Sequence, residues 1–418
     1  MSPSKPSALH ARYAPLSGLI GACAYIVGFT LPLPWNIPLL ALVLMGACAA
    51  VSGARDGSRP SWPPVALPVL GFLAATGLSI LVSEDVGRSL RLSAALLPSV
   101  LLFLVIADHF QGVCDIRRLY LTFTAVALGL AAVLLWHVGQ RQPWLHGIPR
   151  SAMRALAQEV GSPILLVPND ASFLSVISPL SLVLLVRKPY SPTGVLAALS
   201  LLASACVVVI LQSRTAILTM VISLVFTAAL IQPRRRLVFG LACGLTSLAL
   251  ILLVDGLFAF PLMRKFIRQW YGSGRIALWL AAWAMFVDAP WLGHGPHTFV
   301  LRYQAYLHNL GLSISSVTIP WAHNLYLEVL AERGVVGFAA LGVLLVRGLT
   351  IAWRTQHAAS AEARLLGAGA LGGFIGLCGA AAVELSLLRE WVVVLLFTFL
   401  GISAHLASSQ STEGRVSA

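Results

Sequence analysis

The segment LLASACVVVILQSRTAILTMVISLVFTAALI, residues 201–231, decides the fold class of this chain because Arg214 is its only charged residue. An α-helix needs about 17 to 25 predominantly apolar residues to cross a bilayer. The apolar runs before and after this arginine meet that requirement, at 194–212 and 215–232. The segment therefore predicts two transmembrane helices joined by a tight turn that carries a lone arginine.

The composition of the whole chain indicates the same class. Of its 418 residues, 58% are hydrophobic and only 10% are charged, whereas about a quarter of the residues are charged in ordinary soluble domains. The mean hydropathy is +0.87. We therefore expect an all-α polytopic integral membrane protein. Its apolar runs predict about twelve spans, at residues 16–33, 36–53, 65–83, 93–108, 119–138, 171–186, 194–212, 215–232, 237–254, 325–346, 364–386 and 390–408.

The orientation is predicted from the basic residues, because short cytoplasmic loops of membrane proteins carry an excess of Lys and Arg. With a cytoplasmic N-terminus, the cytoplasmic loops hold most of them: Arg55, Arg59, Arg117, Arg118, Arg187, Lys188, Arg234, Arg235, Arg236, Arg347, Arg354 and Arg364. The opposite short loops hold fewer: Arg88, Arg91, Arg214 and Arg389. Both termini are therefore predicted to be cytoplasmic. The net charge of +13 follows from these clusters and does not indicate nucleic-acid binding.

Three regions follow from this topology. Residues 1–255 hold the spans up to 237–254 and a short periplasmic segment, 139–170. Residues 256–324 form a large helical periplasmic loop, and 325–418 hold the remaining spans. Within the loop, 276–292 is apolar, yet a further span there would reverse the arginine distribution that follows it. We therefore predict a helix that lies in the outer interface.

The large loop is rich in tryptophan, with Trp270, Trp279, Trp283, Trp291 and Trp321. These residues fit an aromatic belt at the membrane surface or a surface on which sugar rings stack. No metal site is predicted, because the H-x-x-H of His294 and His297, with His308 nearby, is a weak signal. The chain also lacks a DxD motif, and its six cysteines show no CxxC spacing.

The stretch HNLYLEVLAERGVVG, residues 323–337, holds the main candidate site. At about 100° per residue on a continuous helix, His323, Gly334 and Gly337 share one face. The glycines would let a neighbouring helix approach closely, and His323 would lie about 16 Å above Gly334, at the outer membrane surface. Glu328, Glu332 and Arg333 indicate a bundle interior, a water-filled cavity, or helical turns that stand clear of the lipid.

Two arginines are predicted on the same outer side. Arg214 lies in the turn of LQSRTAIL, and Arg275 follows a Gly-Ser-Gly turn in WYGSGRIALW. Each fits an interfacial arginine that reaches for the headgroups. Each also fits a phosphate clamp, because a guanidinium offers paired donors and keeps its proton.

These motifs resemble those of bacterial O-antigen ligases, within the O-antigen ligase and polymerase superfamily of membrane glycosyltransferases. His323 and Asn324, followed at a fixed distance by Gly334 and Gly337, fit the signature without a gap. Other blocks are also similar and follow in the usual order: PND at 168–170, SRTA at 213–216, SGR at 273–275 and PWLGHGPHTF at 290–299. The resemblance covers residues from about 165 to 340.

The resemblance implies a GT-C-like, metal-independent enzyme of the bacterial inner membrane, with no cofactor. Such an enzyme transfers a glycan from undecaprenyl pyrophosphate to a sugar hydroxyl of the lipid A-core oligosaccharide, at the periplasmic face. By that analogy His323 is the catalytic residue and Arg214 with Arg275 hold the donor pyrophosphate. The chemistry of the residues agrees, since histidine titrates near neutral pH and serves as a base.

Two other functions stay open at this point. An O-antigen polymerase of the same superfamily would need a similar donor clamp and base, with a second lipid-linked glycan as acceptor. A lipid or glycan transporter also fits many spans and scattered membrane arginines. The chain shows no evident repeat between its halves, and its informative polar residues gather on one predicted side. Those two features favour an enzyme.

Overall fold

The computed structural model describes residues 63–110, 112–141, 169–211, 213–231, 274–312, 319 and 321–416, with the isolated positions 245, 246 and 249. Every regular element within these ranges is a helix, as predicted. The helices are α1 Ala66–Leu81, α2 Val86–Ser93, α3 Leu96–His109, α4 Val113–Arg141, α5 Asn169–Arg187, α6 Pro192–Ile210, α7 Arg214–Ile231, α8 Arg275–Asp288, α9 Phe299–Asn309, α10 Leu325–Arg354, α11 Ala361–Ala381 and α12 Glu390–Val416. A 3-10 turn, Thr355–His357, follows α10.

Among the described residues, 7 helical segments are long and apolar enough to cross a membrane. They are Val86–His109, Val113–Trp136, Pro192–Ile210, Arg214–Ile231, Leu325–His357, Ala361–Ala381 and Glu390–Ser408. Two shorter apolar helices, Ala66–Leu81 and Ala171–Arg187, coincide with further predicted spans. The predicted spans 16–33, 36–53 and most of 237–254 lie outside the described residues. The chain is a polytopic helical membrane protein, and its total of about twelve spans stays a prediction.

Small residues let the central helices pack closely. Helix α11 carries a run of glycines and alanines, and in membranes such residues allow helix backbones to approach each other. Gly369 of α11 lies against Tyr120 and Val183, whereas Gly372 lies against Thr227 of α7. Helices α4, α5 and α7 thus surround α11.

Helices α7 and α11 run antiparallel, which defines two ends of the bundle. Gly372 faces Thr227, and four residues later Gly376 faces Thr219 and Ser223. The start of α7 therefore lies beside the end of α11. The Tyr326 hydroxyl donates a hydrogen bond to the Cys378 carbonyl, so the start of α10 lies there too. We call this the His323 end and the opposite one the Glu362 end.

A second, smaller core caps the His323 end. It joins α8, α9 and the first turns of α10 through Leu278, Met285, Phe299, Tyr303 and Ala331. Helix α8 has 14 residues, or about 21 Å at 1.5 Å per residue, which is shorter than the ~30 Å hydrocarbon layer. The prediction of a short helix here is confirmed, although the helix ends at Asp288 and not at 292. Its position in the membrane interface stays a prediction.

Helix α10 is broken at Gly334, so the prediction of one continuous helical face was wrong. Gly334 has a φ of 59°, and His323 lies outside the helix, which begins at Leu325. The neighbour at the glycine is a loop and not another helix. A Cβ built on Gly334 would lie 2.3 Å from the backbone carbonyl of Trp291.

The same loop satisfies the backbone groups that the break exposes. The N–H groups of Val335 and Val336 donate to the carbonyls of Pro290 and Trp291, at 2.8 and 3.2 Å. In return, the Gly295 N–H donates to the Glu332 carbonyl at 2.9 Å, which also accepts from the Ser79 hydroxyl at 2.9 Å. Broken helices are tolerated in membranes only when such groups find partners within the protein.

Candidate functional site

The structure brings His323 and Arg275 together through Glu384, a residue in the loop between α11 and α12. Oε2 of Glu384 accepts from Nη2 of Arg275, and Oε1 lies 3.3 Å from Nδ1 of His323. The Glu384 side chain is 1% exposed, whereas those of His323 and Arg275 are 21% and 32% exposed. A buried carboxylate thus links two side chains that remain accessible from outside.

His323 is held in a conformation that few residues with side chains adopt. Its φ is 55°, in the left-handed region, which costs roughly 1–2 kcal/mol outside glycine. Such strain persists where the surroundings determine it and is concentrated at functional sites. The surroundings here are Trp321, whose Nε1 donates to His323 Nδ1 at 3.3 Å, and Arg389, whose guanidinium lies 4.1 Å from the Trp321 ring.

Asn324 and Glu328 attach the site to the start of α10. The Asn324 side chain caps the helix by accepting from the N–H groups of Tyr326 and Leu327, each at 3.0 Å. The buried Glu328 carboxylate accepts from the Ala322 N–H at 3.2 Å and from the Ser386 hydroxyl. One carboxylate therefore fixes both the residue before His323 and the loop that carries Glu384.

Beneath this layer the other charged residues of the motif are buried. Glu332 accepts from the Phe299 N–H at 3.1 Å and from Arg333 Nη1 at 3.3 Å. Gly337 lies directly under the Arg333 side chain. Glu328, Glu332 and Arg333 are therefore buried in the protein; whether these turns lie within the membrane or clear of the lipid stays a prediction.

Arg214 is the first residue of α7, at the His323 end of the bundle. The antiparallel contact of α7 with α11 places it on the same end as Glu384. Its side chain is half-buried. Helix α7 packs against α11, and α11 leads into the Glu384 loop. The structure thus places both predicted arginines and His323 at one end of the molecule.

Of the three loop histidines, His294 and His297 are buried in the cap. Nε2 of His294 lies 3.0 Å from the Met285 carbonyl, while His308 is exposed at the end of α9. Burial, together with the charges of Arg333 and Arg88, lowers the pKa of His297 to about 3. Within the described ranges, no group of three or more His, Cys, Asp or Glu side chains could hold a metal ion.

An apolar crevice adjoins the site between α10, α11 and α12. Leu325, Tyr326 and Ala381, at the ends of these helices that carry the site, line it together with Leu387 of the Glu384 loop. The rest of it is lined by Leu341, Leu345, Leu377, Cys378, Val392 and Leu396.

Glu384 was missing from the residues predicted from the sequence. It stands alone in AAAVELSLLRE, with no motif around it. The available signal was its position, since an ionisable residue at the end of a predicted span marks a functional site by default.

These features define a class: a helical membrane protein with a histidine, two arginines and a shared carboxylate at one end of the bundle. Residues 199–342 match the family model described as O-antigen ligase. The match contains Arg214, Arg275, His323, Gly334 and Gly337, and it confirms the resemblance of the sequence motifs to the O-antigen ligase and polymerase superfamily. No curated protein matches the chain.

Proposed function

We propose that this protein is an O-antigen ligase of the bacterial inner membrane. It transfers an O-antigen glycan from undecaprenyl pyrophosphate to a sugar hydroxyl of the lipid A-core oligosaccharide, at the periplasmic face. The observation that carries the proposal is the linkage of His323 and Arg275 through Glu384. A base and a cation meet there, although they are far apart along the chain.

The reaction requires a base for the acceptor and positive charge for the leaving group. The His323 imidazole takes the proton of the acceptor hydroxyl, whose oxygen attacks the anomeric carbon from the face opposite the pyrophosphate. The bond from that carbon to the phosphate oxygen breaks, and the configuration is inverted. Arg275 and Arg214 stabilise the charge that develops on the pyrophosphate, because their paired donors match phosphate oxygens without a metal ion.

An apolar crevice near this site supports a place for the lipid part of the donor. It is lined by Leu325, Tyr326 and Leu387, which lie close in sequence to His323 and Glu384. We propose that the first isoprenoid units of the donor lie in this crevice, so that binding of the isoprenoid orients the reacting phosphate.

Reconstitution tests the reaction directly. The purified protein is mixed with a lipid-pyrophosphate glycan and truncated lipid A-core, with a chelator present. We expect the mixed product to form, and His323→Ala to abolish it. If only longer lipid-linked glycans appear, the protein is a polymerase; if neither product forms, the proposed transferase activity is wrong.

Arginine-to-lysine variants test the clamp. Arg275→Lys and Arg214→Lys keep the charge but lose the forked geometry, so we expect transfer rates to fall about tenfold or more, the value of one charge-assisted hydrogen bond. Arg117→Lys is the matched control, since Arg117 pairs with Glu362 at the opposite end, at 3.1 Å. Full activity of both site variants would exclude the clamp.

A further inference from the structure

The two oxygens of Glu384 have unequal partners. Oε2 is engaged by Arg275. Oε1 is buried and has no hydrogen-bond donor among the described residues, although His323 Nδ1 lies 3.3 Å away. A buried carboxylate oxygen without a donor is costly, so this arrangement favours any change that supplies one.

His323 is also in an unproductive hydrogen-bonding state. Its Nδ1 accepts from the Trp321 N–H, so a neutral ring carries its proton on Nε2. That nitrogen then cannot accept the proton of an acceptor hydroxyl. For Nε2 to act as the base, Nδ1 must carry a hydrogen and donate it, and Glu384 Oε1 is the carboxylate at hand.

Of the two groups in the Arg275–Glu384 pair, Arg275 is the one that a ligand can reach and draw away. Its side chain is 32% exposed, whereas that of Glu384 is 1% exposed. An anion that enters from outside therefore meets the guanidinium and not the carboxylate. A pyrophosphate carries more negative charge than one carboxylate and accepts the guanidinium fork at two oxygens.

We propose that Glu384 is a positioning residue that exchanges partners when the donor binds. In the empty site it holds Arg275; when pyrophosphate engages Arg275, Glu384 accepts a hydrogen bond from His323 Nδ1–H. In this exchange water takes one proton from Nε2 and supplies one to Nδ1, so the ring stays neutral and no net proton is released. Withdrawal of Arg275 leaves the Glu384 carboxylate with no other cation in the part of the chain that the structure describes, so the Nδ1–H form, in which Nε2 is the base, is most favoured when the donor is in place. This inference rests on the proposed function for its ligand.

Glu384→Gln separates the two parts of the exchange. An amide binds Arg275 more weakly than a carboxylate does, so the full-length variant should bind inorganic pyrophosphate about threefold to tenfold more tightly by calorimetry. The amide also fails to orient the imidazole as a carboxylate does, so kcat should fall about 100-fold while the donor KM falls as well. A residue that merely supported the fold would not lower KM and kcat together.

Glu362→Gln is the matched control. Glu362 also bridges two cations, Arg117 at 3.1 Å and Arg187 at 3.0 Å, at the opposite end of the bundle. We expect its pyrophosphate affinity, KM and kcat to equal those of the wild type. Unchanged or weaker pyrophosphate binding by Glu384→Gln would overturn the exchange.

Trp321→Phe provides a second variant that keeps an aromatic ring in place. Without the indole N–H, Nδ1 is no longer held as an acceptor, and kcat should rise about twofold to fivefold, the value of one neutral hydrogen bond. A fall in kcat would overturn the proposal.

The proposed function can fail independently of this inference. If the wild type transfers no glycan while Glu384→Gln still binds pyrophosphate more tightly, the exchange of partners stands and the ligase assignment does not.

Discussion

At the scale of single residues, the site is held by carboxylates that are almost completely buried. Glu328 connects the residue before His323 to the loop of Glu384, and Glu384 connects His323 to Arg275. Breaking one partner of a buried pair is strongly destabilising because the other charge stays buried. The position of His323 therefore depends on side chains that lie on three different segments.

The burial of His297 should make the stability of the protein depend on pH. Burial lowers its pKa from 6.5 to about 3, so the folded state resists a proton that the unfolded chain accepts. The stabilisation is complete above pH 6.5 and is lost as the pH falls towards 3. From pH 7 to pH 5 the free energy of unfolding should fall by about 2 kcal/mol from this group.

Thermal unfolding in detergent at several pH values checks this prediction. His297→Asn is the suitable variant, because asparagine tolerates the positive φ of 63° at this position better than most residues. Its melting temperature should fall less on acidification than that of the wild type. His294 acts in the same direction, since burial also lowers its pKa, so part of the slope should remain. Identical slopes for wild type and variant would contradict the assignment to His297.

The sequence motifs singled out His323 and the arginines, whereas Glu384 carried only the weaker signal of an ionisable residue at the end of a predicted span. The former stand in spaced motifs, and a histidine at the head of an apolar run is visible in one stretch of sequence. Glu384 acquires its role only when the ends of α8, α10 and α11 meet. That meeting is a property of the tertiary structure, which the local sequence around Glu384 does not contain.

At the scale of elements, the break in α10 joins the cap to the membrane bundle. The loop at 290–295 lies in the gap at Gly334, where it exchanges backbone hydrogen bonds with both halves of the helix. The apolar pattern predicted this helix correctly because hydrophobic length is a local property. It missed the break because the φ of Gly334 is set by a loop some forty residues earlier in the chain.

Gly334→Ala should therefore destabilise the protein strongly. The left-handed φ costs about 1–2 kcal/mol with a side chain, and the new Cβ would meet the Trp291 and Leu292 backbone at 2.3 to 2.6 Å. Gly342→Ala is the matched control in the same helix, since nothing lies within 4 Å of its Cβ position. Alanine favours a helix there by about 0.5–1 kcal/mol. Melting temperatures in detergent check the contrast, and equal values would show that the loop does not constrain the break.

At the scale of the whole molecule, the two ends carry different charged structures. The His323 end holds the site, where arginines meet buried carboxylates. The Glu362 end holds Arg117 and Arg187 around one carboxylate, and Lys188, Arg354 and Arg364 lie in the same region. Such an excess of basic residues in short connections is typical of a cytoplasmic surface.

This asymmetry predicts the orientation of the protein, and cysteine labelling checks it. Cys114 is exposed at the Glu362 end, next to Arg117. Asn309 is exposed at the end of α9 in the cap. In variants with a single cysteine, a membrane-impermeant maleimide added to intact spheroplasts should label Asn309→Cys at once and Cys114 only after permeabilisation. The opposite pattern would place His323, Arg275 and Glu384 on the cytoplasmic side and would contradict the proposed reaction at the periplasmic face.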